Sequence, residues 1–547
     1  MNLTSPSKFV TSRMVWIRHP WKNSDDGRQT DFSAVYVIAG ICGVSFSVGM
    51  LLYFLVLRCR QLRHAPPGPL GLWWGSRVTT KLLSGIKARY GAIFHLFVRN
   101  QFTVVLNDLS SVMVAFRDND YCLLDRFPHP HSTPLQGRTN NPAPVSNIKH
   151  GHAVGLTYAS YLPWRITRNF VNSALLQLQQ ETQFSATLEA GAQSLIHILH
   201  NRTKQQLPSF HMTLHKSVLD SMVKIMIGSN YVRDFEKMQR LSKLIRAISM
   251  ETATGSYDLQ GGSCPLASSW SRQCSKVEKY ARAVRKDLTD DLVVQKHNEK
   301  ASSDSFVGCC LSHMAQIRSF SGKAIDKLIF TDEEVVTWTI ELLAGSVVPL
   351  VHTLYEGLYL LAKHQVCQLK IQLALDHLRR SRTDNSSLLS YDSVPYLAAV
   401  CCEILRQTSG RTVGACRRVA REFKVGSYRI SKSTLLIANL HAIHHDNAAW
   451  AYPEVFLPER YFDMDGRLTI PPSLLPFSMG SRSCPGGSIA MRTMMDFIAA
   501  LMSKYTVTLG DYSNLLIDPP HYDLRFVTSD LRVGLELDQQ SVSSVSV

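Results

Sequence analysis

One cysteine, Cys484, stands in the decapeptide FSMGSRSCPG, Phe477 to Gly486, with an arginine two residues before it and glycines on both sides. A loop of this kind can present a thiolate to a metal, provided that local positive charge or the metal itself keeps the sulfur deprotonated below its free pKa of about 8.5. Gly486 and Gly487 can offer backbone N–H groups to the sulfur where Pro485 cannot. The apolar run SIAMRTMMDFIAALM that follows predicts a helix whose N-terminal end faces the ligand. Arg482 suits an anionic group carried by the same ligand. An isolated cysteine is more often an inert core residue, so the elements around it decide between the two readings.

Those elements are mostly helices. Apolar residues recur at three- and four-residue spacing over 161–200, 211–250, 269–297, 325–381 and 394–408. Strand-like runs near 92–107, 412–440 and 505–537 are short and set apart. The expected fold class is mainly α (α+β), with small sheets segregated from a helical body. The Gly- and Ser-rich segment 252–272 breaks the helical pattern and is read as a loop.

A capping box, Thr331 to Glu334, opens a helix that continues through VVTWTIELLAGSVVPLVHTLYEGLYLL. Pro349 has no N–H for the carbonyl of Gly345, four residues earlier, and predicts a local opening of that helix. Gly345 and Ser346 are the candidate catalytic positions beside this opening, Ser346 as the nearest hydroxyl and Glu341 as the nearest acid. The alternative is a simple kink with Ser346 bonded back to the main chain, and for Glu341 that alternative is preferred. In the helical segment PYLAAVCCEILRQTSG, Glu403 and Arg406 lie three apart on one face. On a surface such a pair contributes little. Its flanks Leu397, Val400, Ile404 and Leu405 predict a buried helix, where an unpaired charge is costly.

Phe477, Gly480, Arg482, Cys484 and Gly486 match every fixed position of the cysteine-ligand signature of the cytochrome P450 superfamily, which this loop therefore resembles. The segment WAYPEVFLPERYF, with Pro458, Glu459 and Arg460, is similar to the stretch preceding the haem loop in that family. In YLPWRITRNF, Trp164 and Arg168 are four apart and resemble the family's pair at a haem propionate. The resemblance spans residues 65–537. It implies the cytochrome P450 fold and a haem b whose iron is ligated axially by the Cys484 thiolate. It makes Trp164, Arg168, Phe477, Gly480, Arg482 and Gly486 cofactor-binding residues, and Glu403, Arg406 and Arg460 a buried network behind the haem. Substrate contacts are implied in 126–155, 252–272, Ile340 to Val348, Ser409 to Gly414 and the C-terminal hairpin.

The implied activity is a monooxygenase taking electrons from NADPH through NADPH-cytochrome P450 reductase. Its substrate would be a lipophilic small molecule such as a terpenoid, sterol or polyketide, and its pathway secondary metabolite biosynthesis. One departure stands out. Where family members usually carry an acid and a threonine after an Ala-Gly pair to relay protons, this chain has Ser346, Val347, Val348 and Pro349 after Ala344 and Gly345, and the glycine followed four residues later by proline resembles the steroid hydroxylase and prostacyclin synthase branch. That branch includes isomerases. The alternatives are a haem-thiolate isomerase or dehydratase acting on a peroxide without a reductase, and a haem-binding protein without turnover.

The composition limits the remaining classes. With 59 basic and 43 acidic side chains the net charge is +16, which favours an anionic membrane surface or an acidic protein partner. No Lys/Arg run forms a nucleic-acid-binding stripe. Twelve cysteines without paired spacing exclude a disulfide framework and a zinc site, and fit a reducing compartment. From Phe32 to Leu57 there are 26 residues without a charge, more than the roughly 20 that a membrane-spanning helix needs. The mostly polar stretch of 31 residues before them argues against a cleaved signal peptide. The domain order expected is a polar segment 1–31, a transmembrane anchor 32–57, a basic and proline-rich hinge 58–69, a catalytic domain 70–538 and a disordered tail 539–547. Basic residues flank the anchor on both sides and leave its orientation open. The family resemblance implies a single-pass protein of the endoplasmic reticulum with its catalytic domain in the cytosol, and Asn2 as the candidate glycan site.

Overall fold

The computed structural model describes residues 42–43, 45–46, 48–50, 64–69, 72–73, 80–98, 101–125, 155–157, 159, 161–201, 210–252, 267–297, 304–320, 330–381, 393–409, 416–510 and 524–528. The chain divides into two compact units, Met1–Arg63 and His64–Val547. In the first, the described residues lie within the expected anchor, are helical and are exposed, Phe46, Val48 and Met50 among them. The polar segment 1–31 with Asn2, the rest of the anchor, the tail 539–547, and the stretches 126–154, 253–266 and 410–415 fall outside the described residues.

Among its described residues the second unit is mainly helical with three small sheets. Five helices position the site: α1 (Tyr161–Gln180), α2 (Ala267–His297), α3 (Asp332–Lys363), α4 (Pro395–Ser409) and α5 (Gly487–Met502). The strands, in chain order, are β1 (Leu72–Trp73), β2 (Ile93–Val98), β3 (Gln101–Leu106), β4 (Arg417–Arg418), β5 (Phe423–Val425), β6 (Tyr428–Ile430), β7 (Leu435–Ala438), β8 (Tyr505–Leu509) and β9 (Leu524–Thr528). The largest sheet has the order β1-β2-β3-β7-β4. Within it β3 pairs parallel with β7, Thr103 opposite Leu435, whereas β2–β3 and β4–β7 are antiparallel. Most of β3 and all of β7 are buried, which explains their largely apolar sequences in place of strict alternation.

α3 is the central helix. The Thr331 side chain accepts from the Glu334 amide and the Glu334 carboxylate accepts from the Thr331 amide, so the expected capping box closes its N-terminus. It packs against α4, α5, β8 and the helix Phe210–Met226. By length and composition α3 is able to cross a membrane, yet 61% of its most apolar stretch is buried inside the protein. It is a core helix.

Three expectations need correction. The apolar pattern over 161–200 divides at Glu181, whose extended backbone (ψ 133°) ends one helix and caps the next. The pattern over 325–381 divides at His364 in the same way. Residues 267–272, read as loop, are the first turns of α2, because serines favour a helix start as much as a loop. The helix Phe306–Phe320 had no counterpart in the periodicity reading.

Candidate functional site

The cysteine loop is closed by its own backbone. The Cys484 amide donates to the Phe477 carbonyl at 2.8 Å and the Ser483 amide to the Gly480 carbonyl at 2.9 Å. Gly480 has φ +77°, and a Cβ there would run into the carbonyl of Phe116 and the carboxylate of Asp120. Both conditions require glycine. The Phe477 ring packs on Gly487, where a Cβ would lie 3.1 Å from its Cγ. Gly486 caps α5 with φ −98°, and a Cβ there would project into open space. Neither its backbone nor its neighbours require glycine, which leaves a cradle beside the cysteine.

Three buried arginines fasten the loop. Arg168, on α1, donates through Nη2 to the Ser483 carbonyl at 2.5 Å. Arg482 donates through Nη2 to the carbonyls of Leu124 and Ala159, each at 2.5 Å, and through Nη1 to Thr157 at 3.4 Å. Its guanidinium lies 3.8 Å over the Trp164 ring. The Trp164 indole N–H donates to the Leu156 carbonyl at 2.9 Å. Arg417, on β4, donates to the Met479 carbonyl at 2.6 Å and to Ser478 Oγ at 3.2 Å. It also lies 3.5 Å from Asp120 Oδ1, while Asp120 Oδ2 accepts from the Ser481 amide at 3.1 Å and from the Ser481 hydroxyl.

Trp164, Arg168, Phe477, Gly480, Arg482 and Gly486 are thus gathered at one loop with Cys484. Arg417 and Asp120 belong to the same site and were missed. On the two-residue β4, Arg417 is buried and Arg418 half-buried.

Cys484 is accessible to solvent, yet it lies deep enough that burial is the leading influence on its thiol and pushes its pKa up. The Gly486 amide and the positive charge of Arg168 act the other way. An accessible sulfur in a recess, an amide directed at it and three guanidiniums around it suit a metal carried by an anionic prosthetic group such as haem. Among the described residues no three His, Cys, Asp or Glu side chains cluster as metal ligands.

In α3, Val335 to Glu341 and Leu354 to Leu358 are buried, whereas Gly345, Pro349 and His352 are exposed and Leu342, Ala344, Ser346 and Val348 partly so. These positions form an accessible stripe in the middle of a core helix. The helix continues through Pro349 without a break, so the expected opening is absent at the level of helical structure. Ser346 Oγ donates back to the Leu343 carbonyl at 3.2 Å, and Val347 is fully buried.

Behind the loop, α4 carries the expected charge network. Arg406 meets the Glu403 carboxylate at 2.9 and 2.8 Å, and Arg460 meets it at 3.3 Å. The Leu457 amide at 3.0 Å and the Tyr461 hydroxyl at 3.2 Å also donate to Glu403. Neither Glu403 nor Arg406 is exposed. Such a pair is stable only when its remaining donors and acceptors are satisfied, and here they reach the carbonyls of His444 and Val455 as well.

Residues 70–529 match the family described as "Cytochrome P450". Over 473 residues the chain is 24% identical to "Cytochrome P450 2J5" of Mus musculus, covering 84% of this chain and 89% of that protein. To "Cytochrome P450 18a1" of Drosophila melanogaster it is 21% identical over 504 residues, 88% of each. Among solved structures, a zebra fish cytochrome P450 with progesterone aligns with a TM-score of 0.65 at 20% identity, covering 82% of this chain and 98% of that one.

Proposed function

Because the chain belongs to the cytochrome P450 family, whose members are monooxygenases that bind haem through a cysteine thiolate, we propose that Cys484 is that thiolate and that the protein oxidises a lipophilic small molecule. Bound haem supplies the dioxygen and electron-transfer chemistry. The chain's own residues do the rest. The Gly486 amide and Arg168 favour the charged sulfur, and Arg168, Arg417 and Arg482 are the cations suited to the propionates. The accessible stripe of α3 is read as the second wall of the haem chamber. Its Leu342, Ala344, Gly345, Val348 and Pro349 suit an apolar substrate such as a terpenoid, sterol or polyketide. The charge-free run Phe32 to Leu57 is read as a single-pass anchor to the endoplasmic reticulum, with the His64–Val547 unit in the cytosol. The basic net charge supports electron delivery by NADPH-cytochrome P450 reductase.

The observation that carries this reading is the accessible Cys484 sulfur in a loop fastened by three buried arginines. The test is the carbon monoxide difference spectrum of the reduced protein. A thiolate-type Soret band is expected in the wild type and not in Cys484→Ala, and wild-type protein that takes up no haem overturns the proposal. Turnover with NADPH, reductase and labelled dioxygen on a terpenoid, sterol and polyketide panel then tests the oxygen insertion.

A second reading rests on the bonded-back Ser346 hydroxyl and the buried Val347. A site poor in proton donors suits a haem-thiolate isomerase or dehydratase that acts on a peroxide already present in its substrate. That reading expects hydroperoxide conversion without NADPH and no labelled oxygen in the product.

A further inference from the structure

Glu341 lies on the most buried part of α3, and its carboxylate leaves the helix to meet a different part of the chain. Oε2 accepts from the Leu156 amide at 2.6 Å and from the Thr157 amide at 3.3 Å. Gly155 makes the approach possible. With φ +121° it turns two successive N–H groups toward one acceptor, and a Cβ at this position would lie 2.5 Å from Glu341 Oε1. The opposite side of the same short segment is turned to the cysteine loop. The Leu156 carbonyl accepts from the Trp164 indole, and the carbonyls of Thr157 and Ala159 accept from Arg482.

We propose that Glu341 is a positioning residue for the cofactor site: by holding the amides of Leu156 and Thr157, it fixes the carbonyls that orient Trp164 and Arg482 beside Cys484. This rests on the haem reading for its functional consequence, though not for its geometry. Reach matters more than charge in this arrangement. One oxygen accepts both amides, and that oxygen is present in the carboxylate, in the carboxylic acid and in a glutamine amide of the same length. Burial raises the Glu341 pKa to about 7 against the pull of the two amides and of Arg285, the charged side chain on α2 whose field reaches it. Neutral and charged forms are therefore both populated near neutrality. On the other side of the segment the charged group is Arg482, bonded to the carbonyls of Thr157 and Ala159.

The test compares Glu341→Gln, Glu341→Asp and Glu341→Met. Two readouts are used: hydrogen exchange at the amides of residues 156 and 157 in haem-free protein, and the rate at which haem passes from the protein to excess apomyoglobin. Glutamine keeps the reach without the charge and is expected to lose haem within about twofold of the wild-type rate. Aspartate keeps the charge and falls one methylene short, while methionine keeps the length and lacks the acceptor. Both are expected to lose protection at the two amides and to release haem about tenfold faster.

In the double variant Glu341→Asp/Arg482→Lys, haem should leave no faster than from the worse single variant, because both changes disable one connection. Equal haem loss in the aspartate and glutamine variants, or additive effects in the double variant, would overturn the proposal. Should Glu341→Met not fold, the aspartate and glutamine pair still decides it. Should the protein bind no haem at all, the haem reading fails, and the exchange measurement still reports whether Glu341 holds the segment.

Discussion

Around Cys484 the polar groups of the loop are tied to other parts of the chain, to α1, to β4, to Asp120 and to the segment 155–159. The middle of α3 leaves Gly345, Val348 and Pro349 accessible, together with one hydroxyl that is bonded back to its own helix. The contrast separates two tasks. A prosthetic group must be held in one orientation, which favours buried cations tied to backbone carbonyls, whose removal is costly. A substrate wall is free to change its side chains, because the helix backbone already satisfies itself. The first region should therefore fail through stability and the second through selectivity of reaction.

The largest effect is expected at the charge network that supports the loop. Glu403→Ala leaves Arg406 and Arg460 buried without their carboxylate, and should cost about 3–5 kcal/mol in chemical denaturation. A loss below about 1 kcal/mol would place this network with ordinary surface pairs and remove one side of the contrast. Next comes a pair of glycines. Gly480→Ala forces a Cβ against the Phe116 carbonyl at positive φ, and should cost about 1–3 kcal/mol. Gly345→Ala meets open space in α3, and should leave the haem-free protein as stable or up to about 1 kcal/mol more stable. Equal destabilisation by the two changes would mean that the stripe along α3 is as tightly packed as the loop.

Two buried groups that support the loop should also respond to pH with opposite signs. His444 lies behind the loop, where its Nε2 accepts from the Leu475 amide at 2.9 Å. Burial, with Arg406 nearby, lowers its pKa from 6.5 to about 3. The unfolded chain takes up a proton that the folded protein refuses, so this contribution is full above pH 6.5 and is lost as pH falls toward 3. By pH 5 the loss should reach about 2 kcal/mol. Glu341 behaves in reverse. Its pKa is raised from 4.5 to about 7, so the contribution is full below pH 4.5 and is lost as pH rises through 7. Denaturant midpoints measured from pH 4 to 8 should lose the acid limb in His444→Gln and the neutral limb in Glu341→Gln. If both variants flatten the same limb, the two sides of the site are not electrostatically separate.

Legibility in the sequence follows the range of the interactions. The capping box of α3 and the Glu403/Arg406 pair are local patterns on one helix, and both are found as expected. The six residues gathered around Cys484 were named by the family resemblance, which rests on two short motifs, the loop and the Trp164/Arg168 pair. Asp120 and Arg417 were not, since they meet the loop from far away in sequence and neither has a local pattern that distinguishes it from a surface charge. Glu341 was noticed and assigned to the helix alone. Its partners lie 185 and 184 residues away, in a segment whose one local sign is Gly155. The division at His364 and the loop residues that became α2 mark the limit of periodicity, which reports a face and not an end.

The smallest structural change tests the least constrained position. Val348 is partly accessible on the α3 stripe, so Val348→Thr replaces one methyl by a hydroxyl where solvent or substrate can reach it. Stability should change by less than about 1 kcal/mol, because the new hydroxyl can bond the carbonyl four residues earlier or water. The informative quantity is the fraction of NADPH consumption that appears as product. If proton supply limits the reaction at this wall, the added hydroxyl should raise that fraction and change the solvent isotope effect, while haem release stays at the wild-type rate. An unchanged fraction would mean that Val347 and Val348 do not limit proton delivery, and that α3 acts on the reaction through substrate placement. Faster haem release would be the more damaging outcome, since it would show the stripe to be part of the cofactor's hold and end the separation between the two regions.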